Sequence, residues 1–289
     1  MQMSLFQTYG IKPFKTQLLK WIGNKQRMAS EIVSYFPEDY ATYFEPFLGS
    51  GAVLGTLAPR AALASDCFKP LMEIWQTLKD SPETLKMWYR ERWMMALNGN
   101  KVDAYETIKA SYNGSPNGAD LLFLCRSCYG GVVRFRQADG YMSTPCGVHD
   151  PISPESFAKR VDIWRMRVAN TTFKHCGFEE ALDQTKSGDL VYCDPPYSHT
   201  QAILYGAQQF SLEYLFRQIE LCKNRGVRVA LSIDGTKQSG RLLCSLPIPE
   251  GLFVREVLVD CGRSMLKRFQ MNGQSLEEEC VSDRLLLTY

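Results

Sequence analysis

The alternation of apolar and polar positions divides the chain into three stretches. In the first, apolar residues recur at helical spacing from Met28 to Phe36, and Pro37 stops the run. Tyr43 to Phe47 then reads as a short strand that ends in a glycine turn, Leu48-Gly49-Ser50-Gly51. A helix from about Ala52 to Leu57 follows, and Ala61 to Ser65 forms a second short apolar strand capped by Asp66. This is a βαβ opening, the start of an open, mostly parallel α/β sheet.

The second stretch is helical. Leu71, Ile74, Trp75 and Leu78 share one face, as do Leu85, Trp88 and Tyr89, and Trp93 to Leu97, Val102 to Ser111 and Asp120 to Cys125 read the same way. Polar breaks at Asn98-Gly99-Asn100 and from Asn113 to Gly118 separate these helices. Gly130 to Pro145 then alternates and contains Asp139-Gly140, a hairpin signal. Pro70 to His149 is therefore read as an inserted helical module carrying a β-hairpin. The α/β rhythm returns after about Pro151. Leu190 to Cys193 is a strand, Leu212 to Lys223 a helix and Val227 to Ile233 a buried strand. Phe253 to Asp260 and Arg284 to Tyr289 form a terminal antiparallel pair. The expected division is residues 1–69 with 150–289 as one domain and 70–149 as the insertion.

Composition narrows the class. A chain of 289 residues, 45% hydrophobic and 22% charged, holds one large domain or one domain with a substantial insertion. No apolar run has membrane-spanning length, and Met1 to Lys20 lacks a signal-peptide core, so a cytoplasmic protein is expected. The formal net charge is +2 and the pI about 8.0, so nucleic-acid binding would have to come from a local basic patch. The ten cysteines read as reduced, mostly buried thiols in an intracellular chain.

The strongest chemical signal is Asp194-Pro195-Pro196-Tyr197, directly after the strand Leu190 to Cys193. The carboxyl end of a strand in an open α/β sheet is where ligands bind. The residues suit an aromatic amine, whose lone pair is delocalised into its ring. Asp194 can accept one hydrogen bond from the NH₂ group. Pro195 lacks an N–H, and the stiff Pro-Pro pair can turn its carbonyl outward as a second acceptor. Two acceptors draw the amine toward tetrahedral geometry and stabilise positive charge developing on nitrogen. Tyr197 offers a face on which an extruded base can stack. Alone, the same residues also describe a rigid turn.

Two weaker signals join it. Phe47-Leu48-Gly49-Ser50-Gly51 lets a ligand approach the backbone, but a dinucleotide fingerprint needs a glycine at Leu54, and Gly55 is one residue late. Asp66 is placed to bind ribose hydroxyls. Lys20-Trp21-Ile22-Gly23-Asn24-Lys25 precedes the first helix.

Together these motifs resemble those of the Dam-like (alpha group, D12 class) DNA N6-adenine methyltransferases, which carry K-W-x-G-x-K, F-x-G-x-G, an inserted target-recognition region and D-P-P-Y in that order. The resemblance covers nearly the whole chain. It implies a Rossmann-like methyltransferase sheet and S-adenosyl-L-methionine as cofactor, with double-stranded DNA as partner and nucleoid association through it. It implies that Trp21, Lys25, Asp66 and Asp194 line the cofactor site. Phe47, Gly49 and Gly51 would shape its methionine end, Phe178 is a candidate for contact with the cofactor's adenine, and Asp194 to Tyr197 would form the target-adenine pocket. Tyr129 to Arg134 and Gly140 to Gly147 correspond to the DNA-reading hairpin, with Arg126, Tyr129, Arg134, Arg136 and Tyr141 as DNA contacts beside Phe135. Arg263, Lys267 and Arg268 form a second basic cluster that would face the backbone. GATC-reading members usually show Asn-Gly where Gly130-Gly131 stands and an Arg near Val148, so the target sequence stays open. A restriction-modification role would entail a separate cognate endonuclease.

Other readings account for less. Pro145-Cys146 matches the Pro-Cys nucleophile of cytosine-5 methyltransferases, but their companion Glu-Asn-Val is missing. An N4-cytosine methyltransferase more commonly carries Ser in place of Asp194. An RNA adenine methyltransferase fits the insertion less well, and a catalytically silent AdoMet- or DNA-binding regulator would not need the acid at Asp194. Cys125-x-x-Cys128 with Cys146-x-x-His149 has spacing compatible with zinc, whereas no metal is expected from the resemblance. His175 and His199 show no partner in sequence.

Overall fold

The computed structural model describes residues 11–97, 99–136, 138–196, 210–237, 242–243, 246–263 and 280–289. The opening unit is α1 (Ala29–Ser34), β1 (Tyr43–Glu45), α2 (Ala52–Leu57) and β2 (Ala62–Asp66). Then come α3 (Lys69–Asp80), α4 (Pro82–Leu97), α5 (Lys101–Gly114) and α6 (Gly118–Ser127). A 3-10 turn over 129–131 leads toward α7 (Pro154–Arg167), β3 (Thr171–His175), α8 (Phe178–Leu182) and β4 (Leu190–Cys193). The chain closes with α9 (Leu212–Asn224), β5 (Arg228–Lys237), β6 (Leu242–Leu243), β7 (Arg255–Arg263) and β8 (Cys280–Leu287).

The strands form one sheet in the order β3-β2-β1-β4-β5-β8-β7, with β6 beside β5. β1 to β5 run parallel, while β8 pairs antiparallel with both β5 and β7. The order reverses at the β1–β4 pair, where Tyr43 faces Leu190 and Phe44 faces Val191. A reversal of this kind leaves a crevice at the carboxyl ends of the two strands. The expected α/β class is thus what the chain adopts, including the antiparallel pair at its end.

Both faces of the sheet are covered, which explains the unbroken apolar run of β4. Leu190 and Tyr192 point into the core shared with α1, α2, α3 and α7, and Val191 and Cys193 into the core shared with α8 and α9. A strand buried on both sides loses its polar alternation. The first of these cores continues from the sheet through Trp75 of α3 into α4, α5 and α6. Among the described residues no helix is long and apolar enough to cross a membrane.

The segment Gly130–Pro145 turns back on itself, yet among its described residues the antiparallel pairing is limited to the isolated bridge Phe135–Met142, with a second isolated bridge, Cys128–Cys146, just outside it. Two causes are visible. Gly130 and Gly131 adopt φ of 65° and 67°, which breaks the extended backbone. Thr144 then substitutes its side chain for ladder bonds, its Oγ1 accepting from Arg134 N at 2.8 Å and donating to Val132 O at 2.9 Å. β3 and α7 had no separate assignment from the sequence. In β3, Thr172 and His175 are exposed, so its apolar signal is faint.

Gly55 illustrates how packing overrides local preference. Alanine in a helix is favoured over glycine by about 1 kcal/mol. Here a Cβ would lie 2.5 Å from the Trp164 ring. That ring is held by edge contacts to Phe14 and Trp75 and by a 2.9 Å bond from its Nε1 to Thr16 O. Overpacking of this kind costs about 1–3 kcal/mol. Gly55→Ala is therefore expected to lower the unfolding free energy in urea. A stabilised variant would show that Trp164 is free to move.

Candidate active site

The site lies at the carboxyl ends of β1 and β4. The segment before α1 supplies Lys25, which is only 5% exposed. Its Nζ lies 2.8 Å from Asp194 Oδ1, just after β4, and 3.4 Å from Asp283 Oδ2 on β8. One ammonium thus ties together the N-terminal segment and two strands of the sheet.

Beside this pair is a cavity of about 350 Å³. Trp21, Lys25, Phe47, Gly49, Asp66, Phe178, Asp194 and Pro196 all stand on its wall. Phe47 stacks on Phe178 with centroids 5.2 Å apart, and Phe210 meets both rings edge-on. Phe68 and Phe135 also stand on the wall, their rings 5.5 Å apart in a T-shaped contact. The cavity is therefore an aromatic slot with acidic side chains at Glu45, Asp66, Glu179 and Asp194.

The glycine loop is shaped by two tryptophans. Gly49 has φ +48°, and a Cβ there would touch the Trp21 ring at 3.4 Å. Gly51 has φ +64°, and its Cβ would lie 2.9 Å from Trp75. Trp75 Nε1 also donates to Gly49 O at 3.1 Å. Gly51 is thus off the cavity wall, and its side-chain space is taken by Trp75 rather than by a ligand. Asp66 accepts from the backbone N–H of Gly49 at 3.1 Å and of Phe68 at 3.0 Å, which fixes its carboxylate at the wall, while burial raises its pKa.

Glu45, at the end of β1, was not singled out from the sequence. It is buried and accepts a 2.6 Å hydrogen bond from Tyr43 OH. Burial first, and the neighbouring Asp194 charge second, push its pKa up from 4.5 to about 8, against the opposing pull of the Tyr43 bond. Its one sequence signal is an acid inside a short buried apolar strand. Asp283, Phe68 and Phe210 were likewise not assigned, and Phe135 was placed only among the DNA-facing aromatics.

The residues expected on the DNA side separate into two groups. Tyr129, Arg134, Arg136 and Tyr141 are exposed on the hairpin. Arg136 pairs with Asp139 at 2.8 Å and lies over the Tyr141 ring at 4.2 Å. Arg126 corrects the expectation. It is buried, donates to Leu18 O at 2.7 Å and Gln17 O at 3.3 Å, and lies over the Phe157 ring. Its position at the end of α6 faces the N-terminal segment, so its charge is spent inside the protein. Pro195 is buried beside the wall. Tyr197, His199, Lys267 and Arg268 lie outside the described residues, and Arg263 ends β7. His175 Nε2 donates to Cys67 O at 3.1 Å. Among the described residues no group of three or more His, Cys, Asp or Glu side chains is gathered to hold a metal; Cys125 and Cys128 are buried, Cys146 is partly exposed and His149 is exposed.

Comparison with known proteins fits this geometry. Residues 21–255 match the model of the D12 class N6 adenine-specific DNA methyltransferases. The chain is 28% identical to a type II methyltransferase of Lactococcus lactis subsp. cremoris over 77% of its own length and 81% of the relative's. It is 30% identical to the Retron Ec67 DNA adenine methylase of Escherichia coli over 63% and 64% of the two chains. It is 25% identical to a DNA adenine methylase of Vibrio cholerae over 78% and 83%. With a match spanning the cavity, both its strands and the helices α3 to α6, the chain belongs to the D12 class N6 adenine-specific DNA methyltransferase family.

Proposed function

We propose that this adenine-specific DNA methyltransferase takes its methyl group from S-adenosyl-L-methionine and acts on an adenine flipped out of double-stranded DNA. The observation that carries the reading is Asp194, oriented by Lys25 at the rim of an aromatic slot. The slot suits this cofactor. Its volume falls within the roughly 300–1,000 Å³ common for ligand pockets. Its aromatic rings suit a purine, Asp66 suits ribose hydroxyls, and its carboxylates suit an organic cation. When bound, the cofactor supplies an electrophilic methyl group on a sulfonium.

The chain's own groups position and polarise the amine. Asp194 accepts a hydrogen bond from N6, and the Pro195 carbonyl is the second acceptor. Together they stabilise positive charge on N6 as its lone pair attacks, with no covalent enzyme intermediate. Glu45 stays protonated at neutral pH because its pKa is near 8, which leaves Asp194 as the acceptor at the rim. Tyr197 is the proposed stacking face for the flipped base. Residues 70–149 form the proposed recognition module, with 1–69 and 150–289 as the catalytic part. The exposed Tyr129, Arg134, Arg136 and Tyr141 support DNA reading by the hairpin. Likeness to a type II methyltransferase supports a restriction-modification or related DNA-marking role, in which a cognate endonuclease would act separately.

Asp194→Ala is expected to cut methyl transfer from tritiated cofactor by at least about 10²–10³-fold, with DNA affinity unchanged. Near wild-type incorporation would remove Asp194 from the mechanism. Arg134→Ala is expected to weaken DNA binding by about 1–3 kcal/mol without changing the melting temperature. Arg126→Ala should lower that temperature. Loss of stability at Arg134, with unchanged DNA affinity, would contradict this division.

Glu45 gives a pH test. Its pKa is 4.5 in an ordinary setting and about 8 in the fold. Between these values the unfolded chain has released a proton that the fold retains. The unfolded state binds fewer protons, so stability falls as pH rises through that window and levels off above it. Glu45→Gln is expected to flatten most of the decline in urea titrations, leaving a residual slope from Asp66, whose pKa is also raised. An unchanged slope would show that Glu45 ionises normally.

A further inference from the structure

We propose that Cys128 and Cys146 form a disulfide site at the base of the hairpin, closed by a two-electron oxidant of the peroxide class. The inference rests on backbone geometry and is independent of the cofactor and DNA readings. The two residues face each other in an isolated antiparallel bridge. Tyr129 N donates to Pro145 O at 2.9 Å on one side, and Gly147 N donates to Ser127 O at 2.8 Å on the other. Bonds placed outside the pair in this way define a non-hydrogen-bonded pair, in which the Cα atoms approach to about 4.5 Å and both side chains leave the same face. Disulfides span Cα separations of about 4.4–6.8 Å, so the backbone need not move to close one.

The crossing itself is tight. A Cβ on Gly147 would lie 2.8 Å from Ser127 O and 2.9 Å from Cys128 O, so glycine is what permits the strands to meet here. Both thiols are reduced and make only weak contacts, Cys128 Sγ to Cys125 O at 3.8 Å and Cys146 Sγ to Gly147 O at 3.6 Å. Rotation about each Cα–Cβ bond brings the sulfurs together. Cys125 is the rival partner, one helical turn earlier on α6, with its Sγ bonded to Leu122 O. It lies on the last turn of α6, three residues before Cys128, which follows the helix in extended conformation, and does not face it across a strand pair.

Cys146 is the partly exposed member and meets the oxidant first. Its sulfur attacks a peroxide oxygen, an S–O bond forms, the O–O bond breaks and water leaves. Cys128 sulfur then attacks the Cys146 sulfur, the S–O bond breaks and a second water leaves. Two thiols lose two electrons and two protons, and hydrogen peroxide becomes two waters. Burial pushes the Cys128 thiol up to about 12 and raises Cys146 as well, so thiolate is scarce and closure accelerates with pH. The product ties down a hairpin that lacks a regular ladder.

The test treats the full chain with hydrogen peroxide at pH 9, alkylates it without reduction and maps peptides by mass spectrometry. The expected result is one cross-linked peptide joining Cys128 to Cys146, lost on reduction, kept in Cys125→Ser and lost in Cys146→Ser. The folded far-UV spectrum should be retained, and tryptic cleavage after Arg134 and Arg136 should slow. Cys128 joined to Cys125, both residues alkylated or over-oxidised as monomers, or a cross-link formed only after unfolding would each overturn the proposal.

Discussion

The contact between Lys25 and Asp194 is the constraint on which the site depends. Lys25 comes from the segment before α1, Asp194 from the end of β4 and the second carboxylate, Asp283, from β8. Elements distant in sequence therefore have to be in register before one ammonium can meet both acids. Burying such a pair is a poor route to stability, because desolvation offsets much of the attraction. Its use lies in direction. With Lys25 on Oδ1, the Asp194 carboxylate is fixed in orientation at the cavity rim before any substrate arrives, and prepositioned acceptors are what lower a barrier that depends on developing charge.

The acids around this cavity share one small volume but have different environments. Glu45 is buried against Tyr43 and carries its proton at neutral pH, Asp66 is held by the Gly49 and Phe68 backbone, and Asp194 faces a cation. Separating neighbouring acids by environment lets each keep a distinct role. The packing behind them serves the same end. Trp75 fills the space that side chains at Gly51 would need and holds the Gly49 carbonyl, so the loop bordering the cavity is set from α3. Phe135 brings the hairpin to the cavity wall, while its neighbours Arg134 and Arg136 face outward. The surface proposed to read DNA is therefore one residue away from the proposed cofactor slot.

Much of the frame was legible because it depends on local patterning. α2 and β4 occupy the ranges read from the sequence, since a glycine turn bounds one and a doubly buried apolar run defines the other. The hairpin's turn was legible from Asp139-Gly140, whereas its missing ladder reflects Thr144 bonding across the strands, which no period reveals. Arg126 was misassigned for a tertiary reason. Only the fold brings the carbonyls of Gln17 and Leu18 to the end of α6. Glu45 and Asp283 escaped for the same cause, because a strand acid is defined by what it faces, and each faces a partner far along the chain or across the sheet.

A double-mutant cycle on single-turnover methyl transfer tests the central coupling most directly. Lys25→Gln, Asp194→Asn and the double variant would be compared with the parent at saturating DNA and cofactor. If Lys25 acts by orienting Asp194, Lys25→Gln slows transfer in the parent but costs little more once Asp194 is already changed. Losses that multiply independently would show that the two residues act separately and would contradict the account.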